Sequence, residues 1–297
     1  MFAKKNVLLQ TKNYNIYITK MKKYGVLFLS VILTNISLFA QLNFADTKTI
    51  NDFMKTKTYI VLEDAVFSDF NTVIQDVAAK HWKITKYEII DVAQYEKINK
   101  NPNNSFLIVT IGEVTGLPSS MSFNLLNLVM GDASGDINKM KEIIIVPLSY
   151  YSEDSEEDSY AYKLGGILDA FQYFVLNQPG DDWKLWIKEN KKELKNKELW
   201  LTSSDLASNA NTLELIRSVY PYTVKIMSKE AIQDAIDKKM PNVAFVHKIG
   251  TDINNNAYCM KLIISCANGK LLYLNYDKIT KNEAAGMLLK DFKALAE

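Results

Sequence analysis

Two histidines, His81 and His247, are the chain's whole supply of the side chain that most readily moves a proton near neutral pH. Neither has a cysteine, an acid or the other histidine at a metal-ligand spacing, so a zinc site would have to be assembled from distant parts of the chain. His81 falls at the C-terminal end of a predicted helix, where a partial positive charge is favourable. His247 shares strand parity with Phe245 and Ile249 and leans toward a packed face. Both read as structural. Cys259 and Cys266 bracket Met260 to Ser265, a predicted strand, so seven steps of about 3.3 Å set their Cα atoms roughly 23 Å apart. A disulfide tolerates about 7 Å. Two unpaired thiols on opposite faces, at least one of them buried, are the expectation.

Ser119, Ser120 and Ser122 stand outside any G-x-S-x-G elbow, and phosphate loops and dinucleotide glycine fingerprints are absent. The acidic run Glu153-Asp154-Ser155-Glu156-Glu157-Asp158-Ser159 reads as a solvated loop whose charges suit the positive end of the next helix, rather than as a calcium site. Asp132, Ser134, Asp136 and Asn138 alternate like cation ligands but lack the glycine and distal glutamate of an EF-hand. Asn254-Asn255-Asn256 reads as a polar turn. No catalytic, cofactor-binding or metal-binding residue is assigned. Acids are plentiful, and a pair of carboxylates can run glycoside chemistry without histidine, although spacing along the chain does not reveal such a pair.

Aromatic residues supply the candidate contact surface: Trp183, Trp186, Tyr150 and Tyr151. Trp183 and Trp186 lie three apart on a predicted helix and share a face, which either docks that helix or offers rings for a sugar or a partner chain. Tyr150 and Tyr151, with Tyr160 and Tyr162, bracket the acidic run.

These residues need elements to hold them, and the elements read as two similar series. Lys55-Thr56-Lys57 and Lys195-Asn196-Lys197 open matching segments at an offset of 140, as do Asn71-Thr72 and Asn211-Thr212. The offset is 139 for Pro102-Asn103 and Phe106 against Pro241-Asn242 and Phe245, and 138 for Gly112 against Gly250. A repeat of this length means two domains, each long enough for its own core, rather than a solenoid. The first series runs through a strand at Tyr59 to Leu62, a helix with Phe70, Val73, Ile74, Val77 and Ala78 on one face capped by Ser68 or Asp69, and a strand at Ile84 to Ile90. A short helix near Val92 to Asn99 precedes the apolar run Phe106 to Ile111, a central strand covered on both faces. Strands at Phe123 to Met130 and Glu142 to Leu148 follow, then a helix with the stripe Leu164, Ile167, Leu168, Phe171, Phe174 and Val175. The second series has Leu199 to Leu201, helices over Asn211 to Tyr220 and Lys229 to Lys239, strands at Tyr222 to Ile226 and Val243 to Ile249, a hairpin turning at Asn268-Gly269, and a terminal helix with Ala285, Leu288, Leu289, Phe292 and Leu295 on one side. The fold class is therefore α/β, with two related lobes, each a mixed sheet (β-α-β-α-β, then a β-hairpin and a helix) with helices on its faces.

That order resembles the thioredoxin arrangement, and Gly116-Leu117-Pro118-Ser119 is similar to the segment where that family keeps a cis-proline. Where a thioredoxin carries its C-x-x-C pair this chain has Ala65-Val66-Phe67-Ser68, and the second lobe has Thr251-Asp252-Ile253-Asn254 in place of the proline segment. The resemblance implies a topology and no redox chemistry.

Lys22 and Lys23 precede an apolar run from Val26 to Leu33 that ends at Leu38-Phe39-Ala40, the pattern of an export signal cleaved between Ala40 and Gln41. An uncleaved anchor is the alternative. Residues 1–20 read as an over-extended start or a longer basic n-region. Residues 1–40 hold six lysines and no acid, so removing them from 35 basic residues leaves 29 against 34 acidic ones, a net charge of −5. With one arginine, Arg217, and no cationic excess, nucleic acid binding is excluded. The expected division is residues 1–40 as extension and signal, 41–180 as the first lobe, and 181–297 as connecting helix and second lobe. The expected function is an exported, non-catalytic binding or assembly protein of the bacterial cell envelope, periplasmic or secreted. It would take a protein or small-molecule partner and have no cofactor and no stable membrane span after cleavage. The alternative is a hydrolase using dispersed carboxylates in a cleft between the lobes.

Overall fold

The computed structural model describes residues 45–65, 68–113, 122–151, 159–250, 257–280 and 283–297. Among the described residues, ten strands fall into two five-stranded sheets. The first lobe runs α1 (Thr47–Phe53), β1 (Lys57–Val61), α2 (Asp69–His81), β2 (Lys86–Ile90), α3 (Val92–Ile98), β3 (Asn104–Gly112), β4 (Phe123–Met130), β5 (Glu142–Tyr150) and α4 (Leu164–Asn177). The second runs α5 (Trp183–Lys191), β6 (Glu198–Leu201), α6 (Leu213–Arg217), β7 (Val224–Ile226), α7 (Lys229–Asp237), β8 (Val243–Ile249), β9 (Tyr258–Ser265), β10 (Leu271–Lys278) and α8 (Leu289–Ala296). The first sheet is ordered β2-β1-β3-β4-β5 and the second β7-β6-β8-β9-β10. In each, the first three strands are mutually parallel and the last two antiparallel. The α/β architecture of two similar lobes is thus present strand for strand.

Register refines the match between the lobes. Tyr59 pairs with Phe106, and Trp200 pairs with Phe245. With Phe106 and Phe245 in equivalent places, Trp200 rather than Leu199 stands where Tyr59 does, one residue beyond the offset of 140 read from the Lys-x-Lys identities. The difference matters because one step along a strand exchanges its two faces. It puts Trp200 against α7 and leaves Leu199 in the core beneath α8.

Local chemistry sets the element ends. Ser68 caps α2, accepting from the Asn71 amide at 2.9 Å, and Asp91 with Gln94 forms a reciprocal capping box on α3. β3 is buried on both faces only over its first half: Leu107 enters the cluster under α2 and α4 and Phe106 the cluster under α3, whereas Ile111, expected within the covered run, is exposed at the far end. The second lobe is more abbreviated. The helix expected over Asn211 to Tyr220 is a five-residue turn capped by Thr212, stopped before Pro221. β7 is a three-residue edge in which Val224 is buried and Ile226 exposed. The terminal helix begins at Leu289, with Ala285 and Leu288 buried in the turn before it.

Helix α4 joins the lobes. Its predicted stripe fills the first core, while Gly165, Gly166, Asp169 and Gln172 are buried as well. The glycines make that second face possible. A Cβ on Gly166 would lie 2.4 Å from the Phe245 ring, and one on Gly165 2.6 Å from His81 Nε2. The β9–β10 turn approaches equally closely, since a Cβ on Gly269 (φ +76°) would sit 2.2 Å from the Asp169 carbonyl carbon. One apolar cluster draws Phe123, Leu125 and Tyr162 from the first lobe together with Trp200, Ile236 and Phe245 from the second. The described residues accordingly cluster as one compact unit.

Candidate functional site

Among the described residues, buried ionisable side chains gather at three places. At the first, α2 ends on His81, α4 supplies Asp169, and α7 and the residues after it supply Asp237 and Lys239. His81 Nδ1 lies 3.0 Å from Asp169 and Nε2 lies 3.1 Å from Asp237. Lys239 donates to Asp169, and Lys80 to Asp237 at 2.6 Å. Burial opposes the charge on Asp237, but the hydrogen bonds from Lys80 and His81 outweigh it and hold the carboxyl below its usual range. The imidazole is itself buried, with both nitrogens engaged. Its carboxylate partners lie 88 and 156 residues away in sequence. No local pattern announces them.

The second place lies deeper between the lobes. Lys163, in the 3-10 turn before α4, donates to Asp205 at 3.0 Å. Asp205 also accepts from the Thr202 amide and hydroxyl at 2.8 and 2.9 Å. His247, on β8, bonds the Pro147 carbonyl of β5 through Nε2 at 3.1 Å, and its Nδ1 is buried without a hydrogen-bond partner. Burial, aided by the Lys163 ammonium, pushes its pKa down to about 4, so the ring is a neutral donor to Pro147.

The third place is in the second lobe. Lys261 on β9 is fully buried and donates to Asp277 of β10 and to Asp291 of α8, the latter at 2.6 Å. Asp291 also receives Tyr273 and Asn275, each at 2.9 Å, and the Leu288 amide at 2.9 Å. Burial works against the charge of Asp277, but hydrogen bonds from Lys261 and Lys290 hold its pKa low. Burial and the Asp291 charge push the Tyr273 phenol up, so it stays a donor.

An open hollow of about 490 Å³ lies on the first lobe, at the amino ends of its parallel strands. Its wall includes Asp52, Lys55, Asn103, Asp132 and Lys141. The alternation Asp132, Ser134, Asp136, Asn138 beside it closes on its own backbone. Asp132 accepts from the Ser134 amide, Ser134 from the Asp136 amide and Asp136 from the Asn138 amide, at 2.9, 3.2 and 3.0 Å.

Trp183 and Trp186 lie on α5, and Tyr150 and Tyr151 lie at and just beyond the end of β5. Trp183 is buried, and Trp186 packs on Tyr173 and edge-on against Phe174 of α4 at ring separations of 5.8 and 5.6 Å. Asn190 farther along α5 bonds the Leu271 carbonyl at 3.0 Å, so this helix touches both lobes. Tyr150 stands edge-on to Phe123, while Tyr151 is 43% exposed. Both thiols are free and buried, and burial pushes that of Cys266 up to about 12. Ala40 and Gln41, the Gly116 to Ser119 and Thr251 to Asn256 segments, and Glu153 to Asp158 lie outside the described residues. Among the described residues no group of three or more His, Cys, Asp or Glu side chains is placed to hold a metal ion, and no helix is long and apolar enough to cross a membrane. No protein-family model, curated protein or solved structure shows significant similarity to the chain.

Proposed function

We propose that the chain is an exported, non-catalytic binding or assembly protein of the bacterial cell envelope, released into the periplasm or medium after cleavage between Ala40 and Gln41. What carries the reading is the occupation of its reactive groups. The His81 ring is spanned by two carboxylates, and His247 is a neutral, buried donor to a carbonyl. Lys163 and Lys261 are each consumed by buried aspartates. General acid–base chemistry needs such a group within reach of a substrate proton. Binding would fall to the polar hollow bounded by Lys55 and Lys141 and to the surface around Tyr150 and Tyr151. It would take a partner protein or a small polar ligand.

The test has two parts. Mass measurement of the N-terminus in native cells should find Gln41 as the first residue. Purified protein should leave a broad panel of esters, phosphates, glycosides and peptides unchanged. Turnover of any of them would transfer the function to the hydrolase alternative, and glycoside turnover lost in variants of paired carboxylates would identify its mechanism.

A further inference from the structure

We propose that Lys261 and Asp291 are a site of covalent self-modification, at which the lysine amine and the aspartate carboxyl condense to an isopeptide bond between strand β9 and helix α8. A fully buried lysine is a costly residue to place on a strand, because an ammonium and its carboxylates must be removed from water and an apolar side chain would often serve stability better. Here the surroundings suit acyl transfer. Lys261 is 0% exposed and Asp291 1% exposed, and Nζ lies 2.6 Å from Asp291 Oδ2. Fixed proximity of this kind replaces an encounter in solution. The other oxygen, Oδ1, takes hydrogen bonds from the Tyr273 hydroxyl and the Asn275 amide, both at 2.9 Å. Two donors on one carboxyl oxygen are what a tetrahedral intermediate needs when negative charge gathers there. Asp277 also accepts from Nζ and stands where a base must stand to take the first proton.

The step balances without an added reagent. Asp277 relays a proton from the ammonium to Oδ2 of Asp291, so that a free amine faces a neutral carboxyl, and the amine attacks Cγ, forming the Nζ–Cγ bond. Cγ–Oδ2 then breaks, and that oxygen departs with the proton relayed by Asp277 and one further proton from Nζ. The products are a secondary amide and one water. Exclusion of bulk water from the buried pair slows the reverse hydrolysis. The bond would tie the last helix to the sheet across a 30-residue separation.

Mass spectrometry of the purified full-length chain tests this directly. The expected result is a mass one water below that of the sequence, with a branched tryptic peptide joining residues 249–270 to residues 291–293, because trypsin does not cut after an acylated Lys261. Lys261→Met should restore the full mass. Asp277→Asn should leave most molecules unlinked with an unchanged near-UV circular dichroism spectrum. A wild-type chain at full mass overturns the proposal, as does loss of water without the branched peptide, the result expected of an aspartyl succinimide. If Lys261→Met does not fold, the wild-type branched peptide alone decides.

Discussion

His247 shows how one buried nitrogen sets a pH dependence. Its pKa falls from the usual 6.5 to about 4 because burial penalises the imidazolium and Lys163 repels it, while the bond to the Pro147 carbonyl offsets only part. The folded chain therefore keeps the ring neutral at pH values where the unfolded chain protonates it. The stability this supplies is complete above about pH 6.5 and is lost as pH falls toward 4, a difference of roughly 3 kcal/mol. Urea midpoints of the wild type and His247→Gln at pH 7 and pH 4 should diverge by about that amount, with the variant losing less. Parallel losses would mean that His247 does not carry the slope. Lys163 gives the complementary case. Lys163→Met should cost about 3 to 5 kcal/mol, because Asp205 would stay buried with its ammonium partner gone. Denaturant titration of Lys163→Met/Asp205→Leu should recover much of it if the penalty is the orphaned charge.

At the scale of elements, α4 bears the strictest demands. Its stripe from Leu164 to Val175 is legible in sequence because apolar residues three and four apart make a face. The second buried face is not legible. Glycine and aspartate at Gly165, Gly166 and Asp169 look like a weakness in a helix until Phe245 and the β9–β10 turn are set against them. The same limit applies elsewhere. The succession of strands and helices along the chain follows from periodicity and turn residues, as at Asn268-Gly269. The charged clusters depend on contacts between residues such as His81 and Asp237, and only the tertiary fold brings those together. The one-residue slip of β6 has a related cause, since identity of Lys197 with Lys57 says nothing about which face Trp200 takes. For α4 the expectation is sharp. Alanine is about 1 kcal/mol better than glycine in an exposed helix interior, yet Gly166→Ala should destabilise by about 1 to 3 kcal/mol, because its Cβ would sit 2.4 Å from the Phe245 ring, which is fully buried and has no room to retreat. Thermal unfolding that shows Gly166→Ala to be more stable would refute this packing.

Across the whole molecule, a sheet topology repeated twice does not by itself make two independent bodies. The lobes have the same strand order, but their surroundings differ. The sheet face under α7 is closed by first-lobe residues, whereas α3, its counterpart, turns Ala93, Gln94, Glu96 and Lys97 to solvent. Between the lobes lie the shared apolar cluster, the Lys163–Asp205 pair, the His247–Pro147 bond and the His81–Asp237 contact. Parting the lobes would expose Ile236 and Phe245 to water and leave Lys163, Asp205 and His247 without their cross-lobe partners, so neither lobe can be lost without disabling the other. Unfolding should consequently be a single cooperative event. Far-UV circular dichroism, which reports both sheets, and fluorescence from Trp82 in the first lobe and Trp200 in the second, each isolated by replacing the other tryptophans with Phe, should give superimposable urea curves. Curves from Trp82 and Trp200 with separate midpoints would show that the seam yields before the sheets do.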